Sequence, residues 1–297
     1  MQLAPAYLLF CVIIWGWTFV ATRVCLQYLN PVELFGLRLI TGLPLLVIVI
    51  LAKGIKFEFT GKERRTILIG SAIITAHFLV QITGLQYTSA TNTGWIIAVS
   101  PLVMAVMAYL FLKERLKRSA IVGIVVATVG ILLLVSKGRL NSLAWLGSVG
   151  DWLVLISAHT WALYTIVIRD LTRTRHPLAV TIAVLAPSAL VVVGYMAVNS
   201  DWSRFIHMPL DGIVAMLFLG ILGLALGHWF WQEGLARIGA ARAGIYLYLE
   251  PVATTVLAVP YLHEEFGPLT ALGGLMVLAG VYVAEGRRSR STPQKQD

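Results

Sequence analysis

Long apolar runs alternate along the chain with short polar joints. The runs occupy residues 4–26, 32–52, 66–87, 91–112, 118–136, 149–169, 177–199, 212–236, 241–262 and 267–285. Each is roughly 19–25 residues long, enough at 1.5 Å rise per residue to cross a hydrocarbon core of about 30 Å. The pattern predicts an all-α membrane protein with ten transmembrane helices. Prolines mark several starts: Asn30-Pro31, His176-Pro177 and Gly267-Pro268 fall where a first helical turn tolerates a missing N–H.

Inside the runs, polar and aromatic positions recur at helical spacing. His77, Gln81, Gly84 and Thr88 follow one another at i, i+4, i+7 and i+11 in the third span. Gly227, His228, Trp231, Gln232 and Gly234 form a similar face in the eighth, and Tyr246, Glu250, Ala253 and Thr254 one in the ninth. The first span contributes Trp15, Thr18 and Thr22, the fourth Asn92, Trp95 and Val99, and the sixth Ser157, Trp161 and Tyr164. Faces of this kind are ill suited to lipid. Brought together, they would line a cavity rich in indole and imidazole with few charges, suited to a small, partly aromatic or amphipathic solute. The candidate substrate-binding residues are therefore Trp15, Thr18, His77, Gln81, Trp95, Trp161, Tyr164, His228, Trp231, Gln232, Tyr246 and Glu250.

Composition narrows the function. Of 297 residues, 58% are hydrophobic and 12% charged, against about 25% charged in an ordinary soluble domain. Spans and loops use up the chain, leaving no room for a separate catalytic, nucleotide-binding or receptor domain, so ATP-driven transport by this chain alone is excluded. The net charge of +9 would point to nucleic acid in a soluble protein, but here the basic residues sit in short loops and report orientation, so no nucleic-acid partner is expected. Lys and Arg crowd residues 53–65, 113–118, 169–175, 237–242 and 287–295, whereas the alternate loops hold only Lys137, Arg139 and Arg204. This bias places both termini in the cytoplasm, requires an even number of spans, and fits a multi-pass protein of a bacterial-type inner cell membrane. The basic tail, 287–297, is expected to lie at anionic headgroups. Met1 to Pro5 carries no basic leader, so the first span is expected to be retained. Cys11 and Cys25 lie in that one helix, about 21 Å apart in rise, and cannot pair.

At an offset of 150 the third to fifth spans align with the eighth to tenth. Gly84 meets Gly234, Gly94 meets Gly244, Pro101 meets Pro251, Glu114 meets Glu264, Gly123 meets Gly273 and Gly130 meets Gly280. Trp15 with Trp161 and Arg23 with Arg169, at an offset of 146, extend the match to the first and sixth spans. The chain therefore divides into 1–137 and 149–286, each of five spans, and five being odd, the second half enters the membrane upside down. The loop charges agree, because the basic stretch 113–118 has a counterpart at 263–266 without Lys or Arg. Inverted halves that rock about a central site serve alternating access. The mid-span Pro101 and Pro251 each free a backbone carbonyl, acceptable in lipid only against protein or a watery cavity, and are candidate hinges.

Three stretches carry a resemblance: Trp15-Gly16-Trp17-Thr18-Phe19, Ser100-Pro101 through Leu112-Lys113-Glu114-Arg115-Leu116, and Glu250-Pro251 through Leu262-His263-Glu264-Glu265. With ten spans as five plus five, the chain resembles the EamA branch of the drug/metabolite transporter superfamily over almost its whole length. The resemblance implies a secondary transporter that moves a small organic metabolite such as an amino acid, with export the expected direction. It also implies a cavity lined by the first, third, fourth, sixth, eighth and ninth spans, with the fifth and tenth at one end.

Glu250 is the sharpest single residue, since a carboxylate near midspan costs at least about 2.5 kcal/mol unless paired, hydrated or protonated. It is a candidate for coupling transport to a proton, or else a glutamate hydrogen-bonded to the carbonyl freed by Pro251. His77 and His228 serve either a solute or a helix-to-helix bond. Arg38, near the middle of its span, could meet an anionic substrate but is read first as structural or snorkelling, Glu114 and Glu264 as interfacial ion pairs or caps, His159 as structural, and Trp145, Trp152 and Trp202 as interface anchors. The alternatives are an intramembrane enzyme and a channel or sensor on a transporter fold. An enzyme would need a nucleophile with its base or a metal set, and the chain has no HExxH, CxxC or GxSxG. No enzyme activity, cofactor or metal is expected; the partners are a small-molecule substrate and the bilayer, in a monomer or homodimer.

Overall fold

The computed structural model describes residues 3–113, 118–136, 148–262 and 268–285. Glu114, Glu264, Trp145, Lys137, Arg139 and the tail lie outside them. Among the described residues the chain is helical, without strands. The elements are α1 (Ala4–Cys25), α2 (Pro31–Ala52), α3 (Gly61–Tyr87), α4 (Ala90–Ile97), α5 (Ser100–Leu112), α6 (Arg118–Ser136) and α7 (Val149–Thr174). They continue with α8 (Pro177–Asn199), a one-turn α9 (Ser203–Ile206), α10 (Leu210–Leu217), α11 (Gly227–Ile238), α12 (Ala240–Tyr246), α13 (Glu250–Leu262) and α14 (Pro268–Glu285). A π-helical stretch, Phe218–Leu226, carries α10 into α11, and a 3-10 turn, Leu247–Leu249, joins α12 to α13. Eight helical segments among the described residues are long and apolar enough to cross a membrane.

Local chemistry explains where the helices begin. Asn30 caps α2 through the amides of Val32 and Glu33, with Pro31 in the first turn, and the His176 ring accepts from Leu178 N–H at the start of α8. α3 starts at Gly61, ahead of its apolar run at 66, because Thr60 and Glu63 form a capping box that carries the helix into its polar flank. Ser148 and Asp151 do the same for α7.

Three spans depart from simple rods. Pro101 lies in the first turn of α5 and Pro251 in that of α13, so the fourth and ninth spans are broken rather than merely kinked. At the first break Ala98 N–H bonds Trp95 O (3.2 Å) and Val99 N–H bonds Ile96 O (3.1 Å); at the second Glu250 N–H bonds Leu247 O. These i→i−3 bonds occupy carbonyls near the prolines, which have no N–H to offer. The third departure is the π-helical stretch in the eighth span.

Helix packing follows membrane rules, where small residues and interhelical hydrogen bonds hold helices together without a hydrophobic driving force between them. α3 runs along α7, α2 against α8 and the π-helical stretch, α1 against α11 and α13, and α6 along α14. The last pair is reciprocal: a Cβ on Gly130 would stand 2.8 Å from Gly273 O, and one on Gly280 would stand 2.6 Å from Gly123 O. Leu51, Leu190 and Val198 point outward, as suits side chains bathed in acyl chains. Cys11 and Cys25 are both free and buried, as their separation requires.

Candidate functional site

The two helix breaks and the π-helical stretch bring mid-helix side chains around one cavity. Trp15, Thr18 and Phe19 enter it from α1, Arg38 from α2, and His77, Phe78 and Gln81 from α3. Trp161 comes from α7, His228 from α11, Ile97 and Ser100 from the first break, and Leu247 and Glu250 from the second. The cavity measures about 40 Å³, room for roughly three water molecules. A solute the size of an amino acid therefore fits only when the surrounding helices part.

Aromatic rings form the walls. The indoles of Trp15 and Trp161, matched at the offset of 146, meet edge to face with centroids 4.9 Å apart. His228 lies 5.4 Å from Trp15 and 5.7 Å from Trp161, and His77 lies 5.3 Å from Trp161. Each histidine is held by a carbonyl: Nδ1 of His77 is 2.9 Å from Ser157 O, and Nδ1 of His228 is 3.0 Å from Leu224 O. A carbonyl only accepts, so in both rings Nδ1 carries the hydrogen. Trp15 Nε1 donates to Gly223 O in the π-helical stretch (2.9 Å).

The polar groups of the cavity are left with unused capacity. Arg38 Nε, Trp161 Nε1 and His228 Nε2 are buried without a hydrogen-bond partner, and so are Trp231 Nε1 and Gln232 Oε1 just behind the wall. Arg38 and Glu250 are 3% and 5% exposed, and neither takes part in the ion pairs found among the described residues. The Glu250 carboxylate opens the first turn of α13, at the positive end of that helix dipole. No cluster of three or more potential metal ligands occurs among the described residues.

Of the residues expected from the sequence, Trp15, Thr18, His77, Gln81, Trp161, His228 and Glu250 reach the cavity. Tyr164, Trp231 and Gln232 stand behind it: Gln232 Nε2 donates to Tyr164 Oη (2.8 Å), and the Trp231 ring packs on Trp15 (5.3 Å) and Trp161 (5.5 Å). Trp95 and Tyr246 do not line it. α4 is short and ends at the break, which turns Trp95 toward Ala120 and Ile124 of α6 and toward Tyr248, while Tyr246 packs in the main apolar core. Thr88 and Asn92, also on predicted faces, bind Asp151 instead, at 2.5 and 2.7 Å. His159 is exposed and bonds its own helix at Leu155 O.

Several wall residues escaped the sequence reading. Arg38, for which contact with an anionic substrate is the second of two sequence readings, lines the wall, and an arginine at that depth is itself a signal. Phe19 and Phe78 follow Thr18 and His77 by one position, a register that only packing fixes. Ser100 is the offset-150 counterpart of Glu250, and both lie on the cavity.

α3 and α7 are pinned at both ends. At one end Asp151 accepts from Thr88 and Asn92. At the other, Arg175 donates to both carboxylate oxygens of Glu63 (2.8 and 2.9 Å), which raises the guanidinium above its ordinary value.

Comparison with known proteins gives a consistent result. The model of the EamA-like transporter family matches residues 2–136 and again 148–285. The uncharacterized transporter YyaM of Bacillus subtilis is 26% identical over 274 residues, covering 91% of this chain and 90% of that protein. A probable amino-acid metabolite efflux pump of Salmonella typhimurium is 25% identical over 288 residues, covering 93% and 92%. A solved crystal structure, 17% identical, superimposes with a TM-score of 0.76 over 95% of this chain and 98% of its own, a likeness of fold.

Proposed function

Because the chain belongs to the EamA-like transporter family, we propose that it is a secondary transporter that exports a small organic metabolite of the amino-acid class by alternating access. In this reading α6 and α14 complete ten spans, two inverted halves of five cover 1–137 and 149–286, and both termini face the cytoplasm across the cell membrane. The observation that carries it is reciprocal contact at the centre. Trp15 touches Trp161, and Ser100 and Glu250, each beside the proline that opens a half-helix, face the same cavity. Two similar halves meeting at one site can exchange inward and outward shapes at nearly equal energy. The efflux-pump relative supports the substrate class and direction, and the relatives' names as transporters support a non-enzymatic role. The aromatic walls suit a partly apolar solute, with no cofactor and no nucleic acid involved.

Glu250 is the proton-coupling residue in this proposal: a lone buried carboxylate on the cavity changes charge between open forms, while Pro101 and Pro251 serve as hinges. The test is flux of labelled amino acids into proteoliposomes, wild type beside Glu250→Gln, with and without a proton gradient. The expected result is saturable flux that follows the gradient in wild type and ignores it in the variant. Gradient-independent flux in both proteins would remove the proton from the mechanism, and no flux across a broad panel would remove the substrate class.

A further inference from the structure

The cavity contains one guanidinium, and no acid among the described residues forms an ion pair with it. Arg38 lies near the middle of α2, is 3% exposed, and makes no ion pair among the described residues. Its Nε has no hydrogen-bond partner. A cation at that depth is costly unless it is paired or hydrated, and such residues mark pathways for charged solutes.

Phe78 lies against the guanidinium of Arg38, whose carbon stands 4.7 Å from the ring centroid. The planar N–H fork of a guanidinium is the part that matches a carboxylate, and its Nε is unsatisfied here. The π-helical stretch passes close to the group: a Cβ on Gly223 would come 3.6 Å from Arg38 Nη2. Any side chain there would press on Thr18, whose Cγ2 lies 2.8 Å from that Cβ position, so glycine lets Thr18 and Arg38 sit side by side at the wall. Glu250, the one acid among the described residues that line the cavity, comes from α13 and does not pair with Arg38 of α2.

We propose that Arg38 is the anion-receiving residue of the cavity and selects solutes that carry a carboxylate, held by the guanidinium fork while their apolar part rests on the tryptophan walls. The inference rests on the transporter reading above and adds what the solute must carry. A carboxylate supplies the missing counter-charge and the acceptors that the fork lacks, so part of the arginine's desolvation is repaid only when solute is bound. An amine without a carboxylate would leave the cation buried and unpaired, and it is rejected for that reason.

The test uses the full purified chain and three probes of one shape: phenylalanine, phenethylamine, which lacks the carboxylate, and hydrocinnamate, which lacks the ammonium. Binding is read in detergent from the fluorescence of the cavity tryptophans, and flux in proteoliposomes. Wild type is expected to bind phenylalanine and hydrocinnamate about 10- to 100-fold more tightly than phenethylamine, the range of a lost charge-assisted pair. Arg38→Gln should abolish that preference by weakening the two carboxylates and not the amine, and Arg38→Lys should restore part of it. The wild-type comparison stands even where a variant fails to fold. Equal binding and flux of phenethylamine and phenylalanine overturns the assignment and leaves the transporter reading intact. Unchanged selectivity in Arg38→Gln also overturns it. Loss of phenylalanine binding on replacing a sulfonate counter-ion with chloride would assign the guanidinium to a free inorganic anion instead, and silence with all three probes would overturn the assignment for aromatic carboxylates, the transporter reading being decided by the broad-panel flux.

Discussion

Two helix pairs flank the cavity and are built in opposite ways. α3 and α7, 27 and 26 residues long, are unbroken rods, joined at one end by Asp151 with Thr88 and Asn92 and at the other by Glu63 with Arg175. The second pair, α1 with the segment Leu210–Ile238, occupies the matching place in the repeat. It is joined by an indole and a thiol that donate to carbonyls of the π-helical region or just beyond it, Trp15 Nε1 to Gly223 O (2.9 Å) and Cys11 Sγ to Gly227 O (3.1 Å). At its end the Tyr28 hydroxyl reaches Asp211 (3.1 Å) in an exposed contact. Charged clamps at both ends make a strut. Single neutral bonds onto a wound-out helix make a joint that can slide, and π-helical turns are often found where function needs one. Under the alternating access proposed above, the contrast would make α3–α7 the rigid pair and α1 with its partner the moving one.

The sharpest way to break the contrast is Asp151→Ala. Asp151 is 3% exposed and accepts from two side chains and the Ser148 amide, so removal strands several donors and should cost about 2–4 kcal/mol. A fall in the melting temperature in detergent checks this; an unchanged value would mean that the strut is not held there. Trp15→Phe should cost about 1 kcal/mol or less, as one interhelical bond in a membrane does, yet lower solute flux several-fold. A flux loss matched by an equal loss of stability would erase the distinction between strut and joint. Glu63→Gln should lower the melting temperature less than Asp151→Ala and should lose most of its effect in high salt, since the pair is partly solvated. Smallest of all, Cys11→Ala should leave stability within the error of the measurement, because a thiol is a weak donor.

Outside the spans, Ser203 donates its amide (3.1 Å) and hydroxyl (2.7 Å) to Asp201, which holds that carboxyl below its usual range. A carboxyl with a lowered folded value stabilises above its unfolded value and loses that contribution as pH falls through the folded one. Order of the short turn at Ser203–Ile206 should therefore fade on acidification, read by hydrogen exchange, while the cavity helices keep theirs.

Much of the fold was legible because its signals are local. Apolar length located the spans, Asn30, His176 and the prolines beside them located starts, and helical spacing put His77, His228, Trp161 and Glu250 on inward faces. What escaped depends on partners. The Trp95 face looked like that of Trp161, but α4 stops at a break and turns the indole to α6. Arg38 reads first as structural because a sequence does not say whether a cation meets an acid, and no acid among the described residues pairs with it.

By itself, the sequence determined that this is a multi-span helical protein of the EamA-like family, since hydrophobic length, caps and a repeated pattern act through neighbours along the chain. Only the tertiary structure decided that two prolines begin new helices, that nine residues of the eighth span wind as a π-helix, and that Arg38 and Glu250 share a cavity without sharing a bond. Those outcomes turn on which carbonyls, rings and charges approach across helices, and contacts between residues far apart in sequence leave no local trace.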